Sequence, residues 1–156
     1  MIELATGLAL TTGRVLLVAS RYANHPEPLW TLPGGRRQSG ELLVETVERE
    51  LYEETGLRAR AGELAYLSES YDGAQGYLNA TFLMLLPQSV GDDVRPRDRS
   101  DHTTAAAWVP LEELAERITI AVVREPLLAY LRGELSRRYA GFHEAGVTIE
   151  WPADSA

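Results

Sequence analysis

The chain contains no cysteine. That excludes a disulfide framework, a thiolate nucleophile and a Cys-ligated zinc site, and it agrees with an expected cytoplasmic location. No Lys-rich run occurs and the formal net charge is −8. A surface for long nucleic acid needs clustered cations, so none is expected. No apolar run is long enough to span a bilayer, and the opening MIELATGLAL lacks the basic and long apolar segments of a secretion signal, so no membrane association is expected. What remains is an ordinary globular composition, 45% hydrophobic and 24% charged, in 156 residues that can bury a full core as one domain, 1–156. A small polyanion is still an acceptable ligand, provided metal ions and a few arginines neutralise it. A homodimer is compatible with this composition.

Ile2–Leu10 and Arg14–Ser20 read as apolar β-runs joined by a hairpin turn at Thr11-Thr12-Gly13. Residues 21–29 carry two prolines and read as a loop, before a short strand Trp30–Leu32 and a glycine-rich turn at Pro33-Gly34-Gly35. A helix is expected from about Ser39 or Gly40 to Thr55, with Gly56 just past its end and Leu43, Val44, Val47 and Leu51 as its apolar stripe. Strands follow at Leu64–Tyr71, Tyr77–Leu86 and Ala105–Val109, with a long polar loop over residues 87–103. A short helix opens at Pro110, and a second one at Pro126 carries Leu127, Leu131 and Leu135. Val147–Trp151 reads as a late strand or an interface segment. This order predicts an α/β or α+β fold, a mixed sheet covered by helices.

The most informative stretch is Gly35-x5-Glu41-x7-Arg49-Glu50-Leu51-x-Glu53-Glu54-x-Gly56-Leu57. Glu50, Glu53 and Glu54 fall at i, i+3 and i+4, together on one side of the helix. Like charges at that spacing repel unless a cation sits among them, and carboxylate oxygens suit Mg²⁺ or Mn²⁺. Arg49 neighbours Glu53 at i+4 and Glu45 at i−4, so it can clamp carboxylates, with a forked geometry that lysine lacks. The spacing matches the Nudix box, including the aliphatic positions Leu51 and Leu57. A chance match in a chain of this length is on the order of one in ten million or rarer.

The resemblance to Nudix hydrolases implies an α/β/α sandwich over most of the chain, with residues 141–156 outside anything matched. It implies hydrolysis of a pyrophosphate bond in a nucleoside diphosphate linked to another group, with Mg²⁺ or Mn²⁺ as cofactor and a small nucleotide derivative as partner. Glu50, Glu53 and Glu54 match the family's metal-ligand positions, and the backbone carbonyl of Gly34 completes the set. Arg49 orients those ligands, with Glu41 and Gly35 as supporting box positions. Aligned backwards from Trp108-Val109-Pro110, a common Asp-Glu pair of the family falls on Asp101-His102. His102, with an ordinary imidazole pKa of about 6.5, is therefore an expected general base beside Glu53 and Asp101.

Substrate residues are less legible. Arg21 and Arg36 are candidate phosphate contacts, with Arg37 near them. Tyr22, Trp30, Tyr71, Tyr77 and Phe82 are candidate stacking partners for a base. The family's subgroup motifs for NADH, coenzyme A and dinucleoside polyphosphates are unmatched. Two rival readings exist. An isopentenyl diphosphate isomerase shares the fold but usually needs a cysteine, and a non-catalytic nucleotide-binding sensor tends to lose box residues, whereas this box is whole.

Overall fold

The structure, a computed structural model, describes residues 1–97 and 102–151. Its centre is a five-stranded mixed sheet in the order β5-β1-β7-β6-β9. Strand β1 (Ile2–Leu8) runs parallel to β7 (Gln75–Leu85) and antiparallel to β5 (Gly34–Arg36). Strand β6 (Arg60–Asp72) forms an antiparallel hairpin with β7 and pairs on its far side with the short parallel strand β9 (Tyr139–Phe142). A second sheet joins β2 (Leu10–Thr11), β3 (Arg14–Ser20) and β4 (Leu29–Thr31), with β8 (Thr103–Pro110) on β3.

The apolar patterning explains where these elements lie. Strand β3 has the sequence RVLLVAS, buried at every position after Arg14, and it feeds two separate cores. Leu16 packs with Ala5, Val47, Leu51 and Phe82 under helix α1 (Leu43–Thr55). Val15 and Leu17 pack with Leu8, Val109, Leu114, Ile118 and Leu127, under α2 (Leu114–Arg117) and α3 (Ala121–Leu131). Helices thus cover the strands on two sides, and the expected mixed-sheet sandwich is the fold found. No helix among the described residues is long and apolar enough to cross a membrane.

Several local expectations need correction. The first hairpin is confined to Leu10–Thr11 against Arg14–Val15, because Ile2–Leu8 leaves to pair with β7. Gly34-Gly35 is extended backbone within β5 rather than a turn. Helix α1 begins at Leu43, later than the sequence suggests: the Glu41 carboxylate folds back to accept the Gln38 N–H at 2.9 Å and keeps residues 38–41 in a separate turn. Helix α3 begins at Ala121, five residues before Pro126, and Leu135 lies outside it. Arg124 holds the new start by donating to the carbonyl of Ile118 at 3.1 Å. Pro126 leaves one internal hydrogen bond unmade, a cost offset here by the burial of Leu127. Residues 147–151 form no strand.

Candidate active site

Helix α1 ends at Gly56, whose φ of 77° suits glycine and whose N–H caps the Tyr52 carbonyl at 2.8 Å. Val47 and Leu51 are fully buried and set the helix's rotation. That rotation turns Glu50 toward Gly35 of β5 and Glu54 toward Gly34 of β5 and Thr103 of β8. Arg49 stands at the middle of the acid group. Its Nε donates to Glu41 Oε2 at 2.7 Å and its Nη2 to Glu41 Oε1 at 2.9 Å. Its Nη1 donates to Glu50 Oε1 at 2.9 Å and, more loosely, to Glu53 Oε2 at 3.3 Å. Nη2 also reaches the Arg36 carbonyl at 3.3 Å, tying the helix to β5. The pairing with Glu45 expected from helical spacing is not made; Glu45 Oε1 accepts the Leu42 N–H at the helix start instead.

Glu54 is 2% exposed and, among the described residues, accepts from neutral donors, the Gly34 N–H at 2.7 Å and Thr103 Oγ1 at 2.7 Å. Burial raises its pKa well above the ordinary carboxylate value, the charge of Glu50 adds to the rise, and the two hydrogen bonds oppose it. Glu50 is raised too, by burial first, against the pull of Arg49. Glu41 is the opposite case: the Arg49 fork brings its carboxyl down to about 2. Arg49 is correspondingly raised, chiefly by Glu41. Three carboxylates therefore share one guanidinium, while Glu54 has no cationic partner among the described residues, and a buried carboxylate without one is costly. Hard oxygen donors around a deficit of positive charge fit a divalent metal. Among the described residues no three acids or imidazoles already form a closed metal cage.

The glycines bring the backbone against this group. A Cβ on Gly35 would lie 2.6 Å from the Glu50 carboxyl carbon, and one on Gly34 would lie 2.2 Å from the Ala5 carbonyl oxygen. Past β7, the loop returns to the helix end, where Arg95 N–H donates to the Thr55 carbonyl at 3.0 Å and Arg97 N–H to the Glu53 carbonyl at 2.8 Å. Asp101, one of the expected bases, lies outside the described residues.

A cleft opens beside Gly34 and Gly35, with a cavity of about 140 Å³ whose walls are mainly apolar. His102 lines it. Its ring stacks on Trp151 at 5.2 Å and meets Tyr22 edge-on at 5.2 Å, and its Nδ1 lies 3.2 Å from the Arg21 carbonyl. Burial lowers its pKa, so the imidazole is neutral near pH 7. Among the described residues, no hydrogen bond joins His102 to Glu50, Glu53 or Glu54. Of the candidate stackers, Tyr22 and Tyr77 line the cleft, while Trp30 and Phe82 belong to the two cores. Tyr71 is exposed and serves through its carbonyl, which accepts the Ala145 N–H at 2.7 Å. Arg36 lies over the Trp151 ring at 4.4 Å, whereas Arg21 is exposed and Arg37 pairs with Glu3 at 2.7 Å. Sequence reasoning missed Thr103, Asn79 and Trp151. Trp151 alone carried a signal, an aromatic residue in a segment with no other assignment.

The comparisons with known proteins bear on the family and the fold. A family model described as NUDIX domain matches residues 1–131. A Mycobacterium tuberculosis protein carrying the name mutator protein MutT4 is 33% identical over an alignment of 126 residues that covers 78% of this chain. The chain spans about half the length of that relative, 48% of it. Among solved structures, a NUDIX hydrolase from Nitrosomonas europaea superposes with a TM-score of 0.70 at 20% identity, covering 88% of this chain and 91% of that one. An ADP-ribose pyrophosphatase from Streptococcus suis does so with a TM-score of 0.63 at 20% identity, covering 90% and 98%. At these identities the superpositions speak for the fold, and the family model speaks for the descent. With its box assembled around Arg49 and its strands in the matching sandwich, the chain belongs to the Nudix family.

Proposed function

We propose that this protein hydrolyses a pyrophosphate bond in a nucleoside diphosphate derivative, using Mg²⁺ or Mn²⁺ held by Glu50, Glu53, Glu54 and the Gly34 carbonyl. The observation that supports this reading is the buried carboxylate of Glu54, close to Glu50 and Glu53, bonded to Gly34 of the cleft wall and, among the described residues, without a cation of its own. Bound there, the metal would neutralise phosphate charge and acidify a water.

The chain's own residues then divide the work. Arg49 and Glu41 fix the helix face, so that Glu50 is held in place by a short ion pair. Glu54, through the Gly34 N–H and Thr103, locks β5 and β8 against α1. Glu53 is the least restrained of the three, 28% exposed against 18% for Glu50 and with only the longer contact to Arg49. It is the group we assign to take the proton from the attacking water. His102 is assigned to the cleft, as a neutral ring packed on Trp151. Arg36, beside Gly35 and facing the cleft's aromatic end, is the phosphate contact that the geometry favours over Arg21.

ADP-ribose, the substrate named for one structural neighbour, heads the panel that tests this. Phosphate or nucleotide release is measured over nucleotide sugars, dinucleotides and nucleoside triphosphates with Mg²⁺ and with Mn²⁺. Metal-dependent turnover of at least one class, lost in Glu53→Gln while circular dichroism is unchanged, is the expected result. Full activity in that variant overturns the assignment of Glu53, and silence of the wild type across the panel returns the protein to a non-catalytic nucleotide-binding role.

A further inference from the structure

The outer wall of the cleft comes from residues 143–151, beyond the stretch matched by the family model. Ala145, Val147, Ile149 and Trp151 line the cleft at alternate positions, an extended-chain period without any strand partner. Other contacts tie the segment down at both ends. Ala145 N–H donates to the Tyr71 carbonyl at 2.7 Å, and Thr148 Oγ1 to Asp72 Oδ1 at 3.1 Å, both at the tip of the β6–β7 hairpin. On the opposite side Asn24 clasps the backbone, donating to the Thr148 carbonyl at 2.6 Å and accepting the Glu150 N–H at 2.8 Å. Ala23 N–H adds a bond to the Glu150 carbonyl at 2.8 Å. The segment is a strap drawn across the cleft.

Two lining residues leave polar atoms buried and, among the described residues, unpaired. The Asn79 amide on β7 donates from Nδ2 to Thr6 Oγ1 and to Thr81 Oγ1, each at 3.1 Å, while Oδ1 has no partner. Turning the amide end for end moves the deficit without removing it, because one of its two polar ends then still lacks a partner. Trp151 Nε1 is likewise buried and unpaired. Each such group is costly to the fold until something pairs with it. The cavity of about 140 Å³ is close to the ~150 Å³ at which an apolar cavity admits benzene. A flat ring with donors and acceptors on its edge matches that volume, the apolar walls and the Asn79 amide together. A sugar would leave its hydroxyls unpaired against Val147, Ile149 and Ile120.

We propose that residues 143–151 form a base-selecting strap: with Asn79 they bound a slot for the nucleobase, and Trp151 positions Arg36 toward the phosphates of the same ligand. Trp151 is suited to the second task because the Arg36 guanidinium rests on the Trp151 ring at 4.4 Å while the Arg36 carbonyl accepts from Arg49 Nη2 at 3.3 Å. The proposal takes its ligand class from the hydrolase reading but concerns binding, which can be measured without turnover.

The experiment is calorimetric binding, to the full chain in Mg²⁺ buffer, of the four common nucleoside monophosphates and of ribose 5-phosphate, which has the phosphate and no base. At least one monophosphate should bind about tenfold or more tightly than ribose 5-phosphate. Asn24→Ala, which frees the strap without altering the cleft lining, should bring that ratio close to one. Trp151→Ala should do the same and Trp151→Phe should retain most of the preference, while Asn79→Leu should change the ranking of the bases. Absence of any base preference in the wild type overturns the proposal, as does an unchanged ratio in both Asn24→Ala and Trp151→Ala. An intact ratio in a protein that turns over nothing on the nucleotide panel would defeat the hydrolase reading and leave the strap standing.

Discussion

Arg49 grips Glu41 with two parallel bonds, Nε to Oε2 at 2.7 Å and Nη2 to Oε1 at 2.9 Å, across the turn that precedes the helix. This fork joins a loop carboxylate to the helix face, and the same guanidinium then reaches Glu50. Replacing it with Arg49→Lys retains one charge but cannot make the parallel pair. The expected cost is about 2 kcal/mol of stability, seen in denaturant unfolding. Turnover should fall as well, because Glu50 loses its fixed rotamer. A variant with wild-type stability and activity would show the fork to be dispensable.

The fork also sets an acid limit. Glu41 has its pKa brought from 4.5 in the free state down to about 2 in the folded one. A depressed carboxylate stabilises the fold above its unfolded pKa and loses that contribution as pH falls through the folded value. Glu41→Gln should therefore be less stable than wild type at pH 6, and the gap should close between about pH 4.5 and 2. Parallel unfolding curves at all pH values would contradict this.

Glu54→Gln removes a buried charge while leaving an amide oxygen for the Gly34 N–H. Without metal, the variant should melt at a higher temperature than wild type, since no cation compensates the carboxylate. With Mg²⁺ or Mn²⁺ added, the wild type should gain stability and the variant should gain much less. Equal metal-induced shifts in the two proteins would remove Glu54 from the metal's surroundings.

His102→Ala tests the division of labour inside the cleft. The imidazole packs against Trp151 and Tyr22, so its loss should raise KM and leave kcat and its pH profile nearly unchanged. A fall in kcat of about a hundredfold with an altered acid limb would instead make His102 the general base.

The box was legible because its logic is local. Helical periodicity alone places Glu50, Glu53 and Glu54 on one side, and Gly56 alone marks the helix end. The start of that helix was less legible, since the residue that delays it, Glu41, is recruited by Arg49 eight positions away. Pro126 is a different case: proline favours a first turn, but the helix starts five residues earlier at Ala121, and the buried Leu127 follows Pro126 within it. Strand β9 left no trace in the pattern, because its four residues pair only with the edge of β6.

The sequence by itself determined the family, the acid–arginine group and the bond class proposed for cleavage, because these rest on residue types at fixed short spacing. Only the tertiary structure decided that Glu54 is the buried member, held by Gly34 and by Thr103 from another strand. It alone brought His102, Tyr22, Arg36 and Trp151 into one aromatic cluster and drew the strap across the cleft. Contacts between residues so far apart in the chain have no period to betray them, and they exist once packing has closed the loops between them.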